Sequence, residues 1–171
     1  MSDIASKDPM PVPVLEQRDD MGRLVGVTWQ GMHAGEVTGS DRWLVAVDGS
    51  ACSLRAVEMA ARMAAVEQGA GVDLIHVQSW LTKEAAETEL ARRGWAATAQ
   101  ARQVLDATGV QWRLMSLMGE EAPQIVRVAQ SLGSRGIALG SRGLTATESA
   151  LLGSVAYKVV HLAKSPVLLI R

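Results

Sequence analysis

From Arg42 onward, two rhythms of apolar residues alternate along the chain. Short and nearly continuous apolar runs alternate with longer segments whose apolar positions recur at helical spacing. WLVAVD (Trp43–Asp48) is the first such run, and a Val-rich run of this length reads as a strand buried on both faces. Gly49 and Ser50 turn the chain into a helix running to Gly69, with Ser50 as N-cap, Leu54, Val57, Ala61 and Ala64 at helical spacing, and Gly69 as its stop. VDLIHVQSW (Val72–Trp80) is a second strand. The Ala-rich stretch from Thr82 to Gly109 reads as one long helix, which Gly94 weakens by roughly 1 kcal/mol relative to Ala. Val110–Met118 alternates, as a less buried strand would. A helix from Glu121, with Pro123 in its first turn and Gly133 as its stop, leads to the strand Gly136–Gly140. A last helix over Gly153–Ser165 and a last strand over Pro166–Arg171 complete the pattern.

Strict β-α alternation with short connections predicts an α/β fold. Its form is an open five-stranded parallel sheet, doubly wound, with helices on both faces in three α/β/α layers. Ligands of such sheets bind beyond the carboxyl ends of the strands where strand order reverses, which points to the ends of the first and fourth of these strands.

The preceding residues, 1–41, follow neither rhythm. Pro9, Pro11 and Pro13 alternate and forbid a helix, and Gly22, Gly26, Gly31, Gly35 and Gly39 follow. The segment reads as an N-terminal extension to a domain over 42–171, extended or disordered in part. Within it, Leu24–Trp29 (LVGVTW) is a short strand that docks either as an extra strand or onto a partner.

Composition narrows the function classes. The formal net charge is −1, so no basic field exists across the chain to attract nucleic acid or an anionic membrane. No apolar run approaches the ~20 residues of a membrane span, and the N-terminus lacks the apolar core of a secretory signal. A single cysteine, Cys52, makes no internal disulfide and fits a cytoplasmic location; inside a helix it reads as a small buried hydrophobe. The five Trp residues form no evident stacking row. His33, His76 and His161 share no metal-ligand spacing, and His76 reads as a satisfied core or crevice histidine. No Walker-type phosphate loop and no G-x-G-x-x-G after the first strand are present.

The chemistry concentrates at the two strand ends. The fourth strand of the repeat ends in Gly140-Ser-Arg-Gly143; nine residues later Gly153-Ser154-Val155 opens the last helix. Glycines at 140 and 143 let backbone approach a ligand and adopt positive φ. The unpaired N–H groups at the helix start, with the Ser154 hydroxyl, favour a phosphate. At the end of the first strand, Asp48-Gly49-Ser50 places an acid on the same crevice, where it accepts from ribose hydroxyls or holds a metal ion through water. The plainer reading of Asp48 is a cap on the first helix. That of Arg142 is a solvated arginine, and that of Thr145, Thr147 and Ser149 is a polar loop.

G-S-R-G, nine residues, then G-S-V, with VAVDGS, IHV and a terminal PVLLIR, resembles the universal stress protein family over residues 42–171, and within it the branch that binds ATP. The resemblance implies a Rossmann-like fold of the adenine nucleotide alpha hydrolase type. It implies ATP, with Mg²⁺ or Mn²⁺, as ligand. Ala46, Val47 and Val77 would lie near adenine or sugar, with Leu139 and Gly140 lining the same pocket. Asp48, beside Gly49 and Ser50, would meet the ribose. Gly143, Gly153, Ser154 and Val155 would hold phosphates, and Arg142 would neutralise their charge. It also implies a cytoplasmic homodimer paired through the edge strand Val167–Arg171. Three features depart from the family: Ser134-Arg135-Gly136 stands where an acid often precedes the fourth strand, Pro123 stands further from Gly119, and the link after Trp80 is short. No general base is evident, so a nucleotide-dependent regulatory module for stress response, with slow or absent hydrolysis, is expected. The alternatives are a weak ATPase or phosphotransferase using Asp48, and an interaction protein without nucleotide.

Overall fold

The computed structural model describes residues 9–31, 41–67, 70–144 and 152–171. The rest of the extension, the Gly69 stop, His33 and the hydroxyls of Thr145, Thr147 and Ser149 lie outside the described residues. The elements, in chain order, are strands β1 (Leu15–Arg18), β2 (Leu24–Gln30) and β3 (Trp43–Ala46), helix α1 (Ala51–Val66), β4 (Val72–Gln78), helices α2 (Lys83–Ala97) and α3 (Ala99–Thr108), β5 (Trp112–Met118), α4 (Glu121–Leu132), β6 (Gly136–Gly140), α5 (Ser154–Leu162) and β7 (Val167–Ile170).

The expected parallel strands are all present in one sheet of order β1-β2-β5-β4-β3-β6-β7. Their pairings β5·β4, β4·β3, β3·β6 and β6·β7 are parallel. Helices cover both faces. One apolar cluster holds α1, α2 and α3 against the sheet, and a second holds α4 and α5. The sheet has seven strands rather than five because the N-terminal residues join it. β2 pairs antiparallel with β5, and β1 pairs antiparallel with β2. The Leu24–Trp29 segment thus docks as an extra strand.

That docking corrects the reading of β5. Its alternation suggested a half-exposed strand, yet Trp112 and Leu114–Met118 are all buried. With β2 on its edge and helices on both faces, β5 is an interior strand. Trp112, Leu114 and Met118 enter one cluster, and Met115 and Leu117 the other.

The long helix expected over 82–109 is two helices. Thr98 leaves helical geometry (φ −104°, ψ 7°), and its hydroxyl donates to Gly94 O at 2.8 Å. Arg102 Nη2 donates to Trp95 O at 2.8 Å, and its guanidinium lies 3.3 Å from the Trp95 ring centre. Trp95 meets Trp29 of β2 with centroids 5.3 Å apart, a tryptophan pair the spacing did not suggest. Gly94 is required here: a Cβ would stand 2.1 Å from Ser116 Oγ on β5, so the helix rests directly on the strand.

Two smaller boundaries also differ. α5 ends at Leu162 rather than Ser165, since Ala163 is already extended ahead of Pro166. Cys52 is half-buried and lies 3.0 Å from Arg55 Nη2, so it is not a fully buried hydrophobe. At the end of the sheet where β3, β4 and β5 begin, Asp73 is buried and receives Arg42 Nε at 3.0 Å and Arg113 Nη2 at 2.8 Å. The cavity described next lies at the opposite end.

Candidate functional site

At the carboxyl ends of β3, β4 and β6 a cavity of about 410 Å³ opens between the first turns of α4 and α5. Its floor is apolar: Ile75 and Val77 of β4, Ile125 of α4, and Leu139 of β6. Its wall is formed by Gly140, Arg142, Gly143 and Leu144 and by Gly153 to Ala156 at the start of α5. Gly153 is the N-cap of α5, among the described residues no side chain caps that helix, and Ser154, Val155 and Ala156, whose N–H groups have no partner within the helix, line the cavity. Gly153 N–H itself donates to Ser141 O at 2.7 Å, and Ser141 N–H to Ile170 O at 2.6 Å. These bonds fix the loop to the last strand.

Asp48 joins the two halves of the site. Its Oδ1 accepts Ser50 N–H at 2.9 Å, and its Oδ2 accepts Leu144 N–H at 3.1 Å. The carboxylate lines the crevice and braces the turn before α1, but the cap of that helix is Ser50 rather than Asp48. Burial alone would raise its pKa. Hydrogen bonds from Ser50, Ser53 and Leu144 outweigh burial and hold it below the ordinary Asp value.

The glycines act by close approach. Gly49 takes φ +85° in the turn after Asp48, but Gly140 and Gly143 are absent from the described positive-φ residues. That corrects the expectation of left-handed backbone in the G-S-R-G segment. A Cβ on Gly140 would stand 2.7 Å from Cys52 Cβ and 2.8 Å from the Cys52 carbonyl carbon. One on Gly143 would stand 2.7 Å from Asp48 Oδ2. Each glycine lets protein meet protein, and so brings the loop down onto the start of α1 and onto Asp48.

Ala46, Val47, Asp48, Val77, Leu139, Gly140, Arg142, Gly143, Gly153, Ser154 and Val155 all line this cavity. Gly49 and Ser50 do not; Gly49 makes the turn, and Ser50 Oγ caps α1 by accepting Ser53 N–H at 3.1 Å. Residues not anticipated are Ile75, Ser53, Glu121, Ile125, Leu144, Leu152 and Ala156. Strand alternation from Val77 identifies Ile75. Glu121 and Ile125 sit one helical turn apart on α4, just past the carboxyl end of β5, and that spacing was the available signal. The Glu121 carboxyl is raised above the ordinary Glu value, first by partial withdrawal from water and then by the charge of Asp48. His76 is half-buried with Nδ1 2.9 Å from Val47 O, which is the satisfied crevice histidine expected. Among the described residues no group of three or more His, Cys, Asp or Glu is placed to hold a metal ion. No helix among them is long and apolar enough to cross a membrane.

Comparison with known proteins agrees with this architecture. Universal stress protein YxiE of Bacillus subtilis (strain 168) is 31% identical over 147 residues, covering 77% of this chain and 99% of its own. Among solved structures, a universal stress protein from Archaeoglobus fulgidus in complex with dAMP is 23% identical at a TM-score of 0.62, covering 77% of this chain and 98% of that one. A universal stress protein in complex with cAMP is 24% identical, also at a TM-score of 0.62, covering 78% and 99%. A model of the universal stress protein family matches residues 39–171, and with β3 to β7, the glycine loop and the start of α5 all inside that span, the chain belongs to the universal stress protein family.

Proposed function

We propose that the cavity binds an adenine nucleotide, ATP foremost, and that the chain acts as a nucleotide-dependent regulatory module of the stress response. The observation that carries this reading is an apolar floor ending at the first turn of α5, a helix start that no described side chain caps. Adenine or ribose would lie against Ala46, Val47, Val77 and Leu139, with Asp48 accepting from ribose. Phosphates would lie against Gly140, Gly143, Gly153, Ser154 and Val155, with Arg142 beside them. The dAMP and cAMP complexes of related proteins support an adenine nucleotide as the ligand class. Both Asp48 oxygens already accept backbone N–H groups. Mg²⁺ or Mn²⁺ would therefore be held through phosphate and water.

The rival reading, a weak ATPase or phosphotransferase with Asp48 as base, fits less well. A carboxylate held below its ordinary pKa and already bonded on both oxygens is a poor proton acceptor. Binding with slow or absent hydrolysis follows. In this reading residues 42–171 are the binding domain and 1–41 an extension to it. A second copy would pair along β7, whose outer side is unpaired among the described residues. Exposed Leu169, Tyr157, Val160 and Leu162 lie on β7 and α5. The cell compartment expected for such a module is the cytoplasm.

The test is mass spectrometry of ligand released from freshly purified protein, followed by calorimetric titration with ATP and AMP. A Cβ at Gly153 would lie no closer than 3.4 Å to any described neighbour. Gly153→Ala therefore leaves the fold intact, and Gly153→Val adds bulk at the cradle. Affinity lost in Gly153→Val with an unchanged melting curve supports the reading. No measurable affinity in the parent protein overturns it.

A further inference from the structure

Nucleotide binding does not explain the charge of the cavity. The ionisable side chains among its described lining are Asp48, Glu121 and Arg142, two carboxylates against one guanidinium. A polyphosphate is strongly anionic, and a lining of net negative sign opposes it. Asp48 has a structural duty, because its oxygens tie the turn before α1 to the loop at Leu144. Glu121 has no comparable task. It is the first residue of α4, a helix that starts without a side-chain cap, and an acid there gains only the modest benefit of a helix N-terminus. Lys158 of α5 is paired with the adjacent Glu120 at 3.0 Å. Glu121 is exposed while Ile125, one turn further along α4, is buried in the floor, so the carboxylate stands at the mouth of the cavity.

We infer that Glu121 sets the charge selectivity of this site: its carboxylate at the mouth disfavours a bare polyphosphate and favours a ligand of low charge, or one neutralised by a divalent cation. The inference rests on the nucleotide reading above. Glu121 and Asp48 sense each other electrostatically, which places both in one field. Asp48 is fixed by the fold, so Glu121 is the member of the pair that can be changed without unfastening the loop.

The experiment is calorimetric titration of the full chain and of Glu121→Gln with AMP, with ATP in the presence of a chelator, and with ATP plus Mg²⁺. A charge pair roughly 10 Å apart in water-like surroundings alters affinity by about twofold per unit charge. Glu121→Gln is expected to tighten AMP by about fourfold and chelated ATP by more than about tenfold, with a smaller gain for ATP plus Mg²⁺. Added salt should shrink every gain. Glu120→Gln, on the same turn but outside the cavity and paired with Lys158, should give a smaller gain than Glu121→Gln for every ligand. A gain equal for all ligands would mean that Glu121 acts through structure alone, and an absent gain that it does not act; either result overturns the inference while nucleotide binding stands. Failure of the parent protein to bind any nucleotide overturns both, and is seen before any variant is compared.

Discussion

Replacing Gly143 by alanine places a methyl group 2.7 Å from Asp48 Oδ2, and replacing Gly140 places one 2.7 Å from Cys52 Cβ. The two substitutions look alike in sequence and differ in what must yield. At Gly140 the new atom also meets two backbone atoms of the first turn of α1, Cys52 C at 2.8 Å and Ser53 N at 2.9 Å. Backbone held in a helix cannot step aside, so strand and helix must part, at a cost of about 3 kcal/mol, the upper end for overpacking. At Gly143 the only close atom among the described residues is the free end of one side chain, with Asp48 Cγ already 3.9 Å away. The carboxylate can swing, losing the exposed Leu144 N–H to water, for about 1 kcal/mol. In a chain of this size each kcal/mol lowers the melting temperature by about 2–4 °C. Gly140→Ala should therefore melt roughly 6–12 °C lower, and Gly143→Ala only about 2–4 °C lower. Binding should differ in another way. If Asp48 meets ribose as proposed, turning it from its place removes a charge-assisted hydrogen bond and should weaken AMP by about ten- to a hundredfold in Gly143→Ala. Scanning calorimetry gives the first comparison and titration calorimetry the second. Equal melting losses would refute the distinction between backbone and side-chain neighbours. Parent-like affinity in Gly143→Ala would refute the role given to Asp48.

Asp73→Ala would leave the buried Arg42 guanidinium without its carboxylate and should cost about 3–5 kcal/mol, read as a fall in urea midpoint, with no direct effect on the cavity at the other end of the sheet. Asp48 stabilises the fold through a lowered pKa, so its contribution is complete above the ordinary Asp value and disappears as pH falls through the folded one. The urea midpoints of the parent and Asp48→Asn should differ at neutral pH, keep that difference down to about pH 4, and converge only as pH falls further through the lowered folded value. Glu121 has the opposite sign: its raised pKa makes ionisation a cost to the fold that vanishes at low pH, although a helix N-terminus offsets part of it. Asp48, His76, Lys158 and Arg142 share its surroundings, so Glu121→Gln must be compared with the parent across the same pH series. Ser50→Ala removes the oxygen that accepts Ser53 N–H and should cost about 1 kcal/mol in thermal melts.

The parallel half of the sheet was legible because short connections between alternating strands and helices leave few ways to arrange them. The loop and helix start of the site were legible for a related reason. Gly140, Gly143 and Gly153 mark where backbone must come close, and that need shows in composition. What they come close to was not legible, since Cys52 and Asp48 are brought there by the turn at Gly49 and by α1. Glu121 and Ile125 escaped notice because a glutamate and an isoleucine are unremarked at a helix start. The break at Thr98 left no local mark at all. It arises where Trp95 meets Trp29 and where Gly94 rests on Ser116, contacts between segments far apart in the chain. β1 was missed because LEQR carries no apolar alternation: all four of its residues are exposed.

That exposed strand gives the two sides of the sheet unequal valence. β1 is four residues long, shifts register between Gln17 and Arg18, and carries Glu16 and Arg18, all of which make it a poor template for another strand. β7 presents Val167, Leu168, Leu169 and Ile170 with no such defences. If a second copy adds at β7, the assembly it forms is bounded by a β1 at each end. Growth by strand addition then stops at two chains. The N-terminal hairpin would thus act as a terminator, and a chain lacking it would have a second reactive end on β5, the condition under which pairs become fibres.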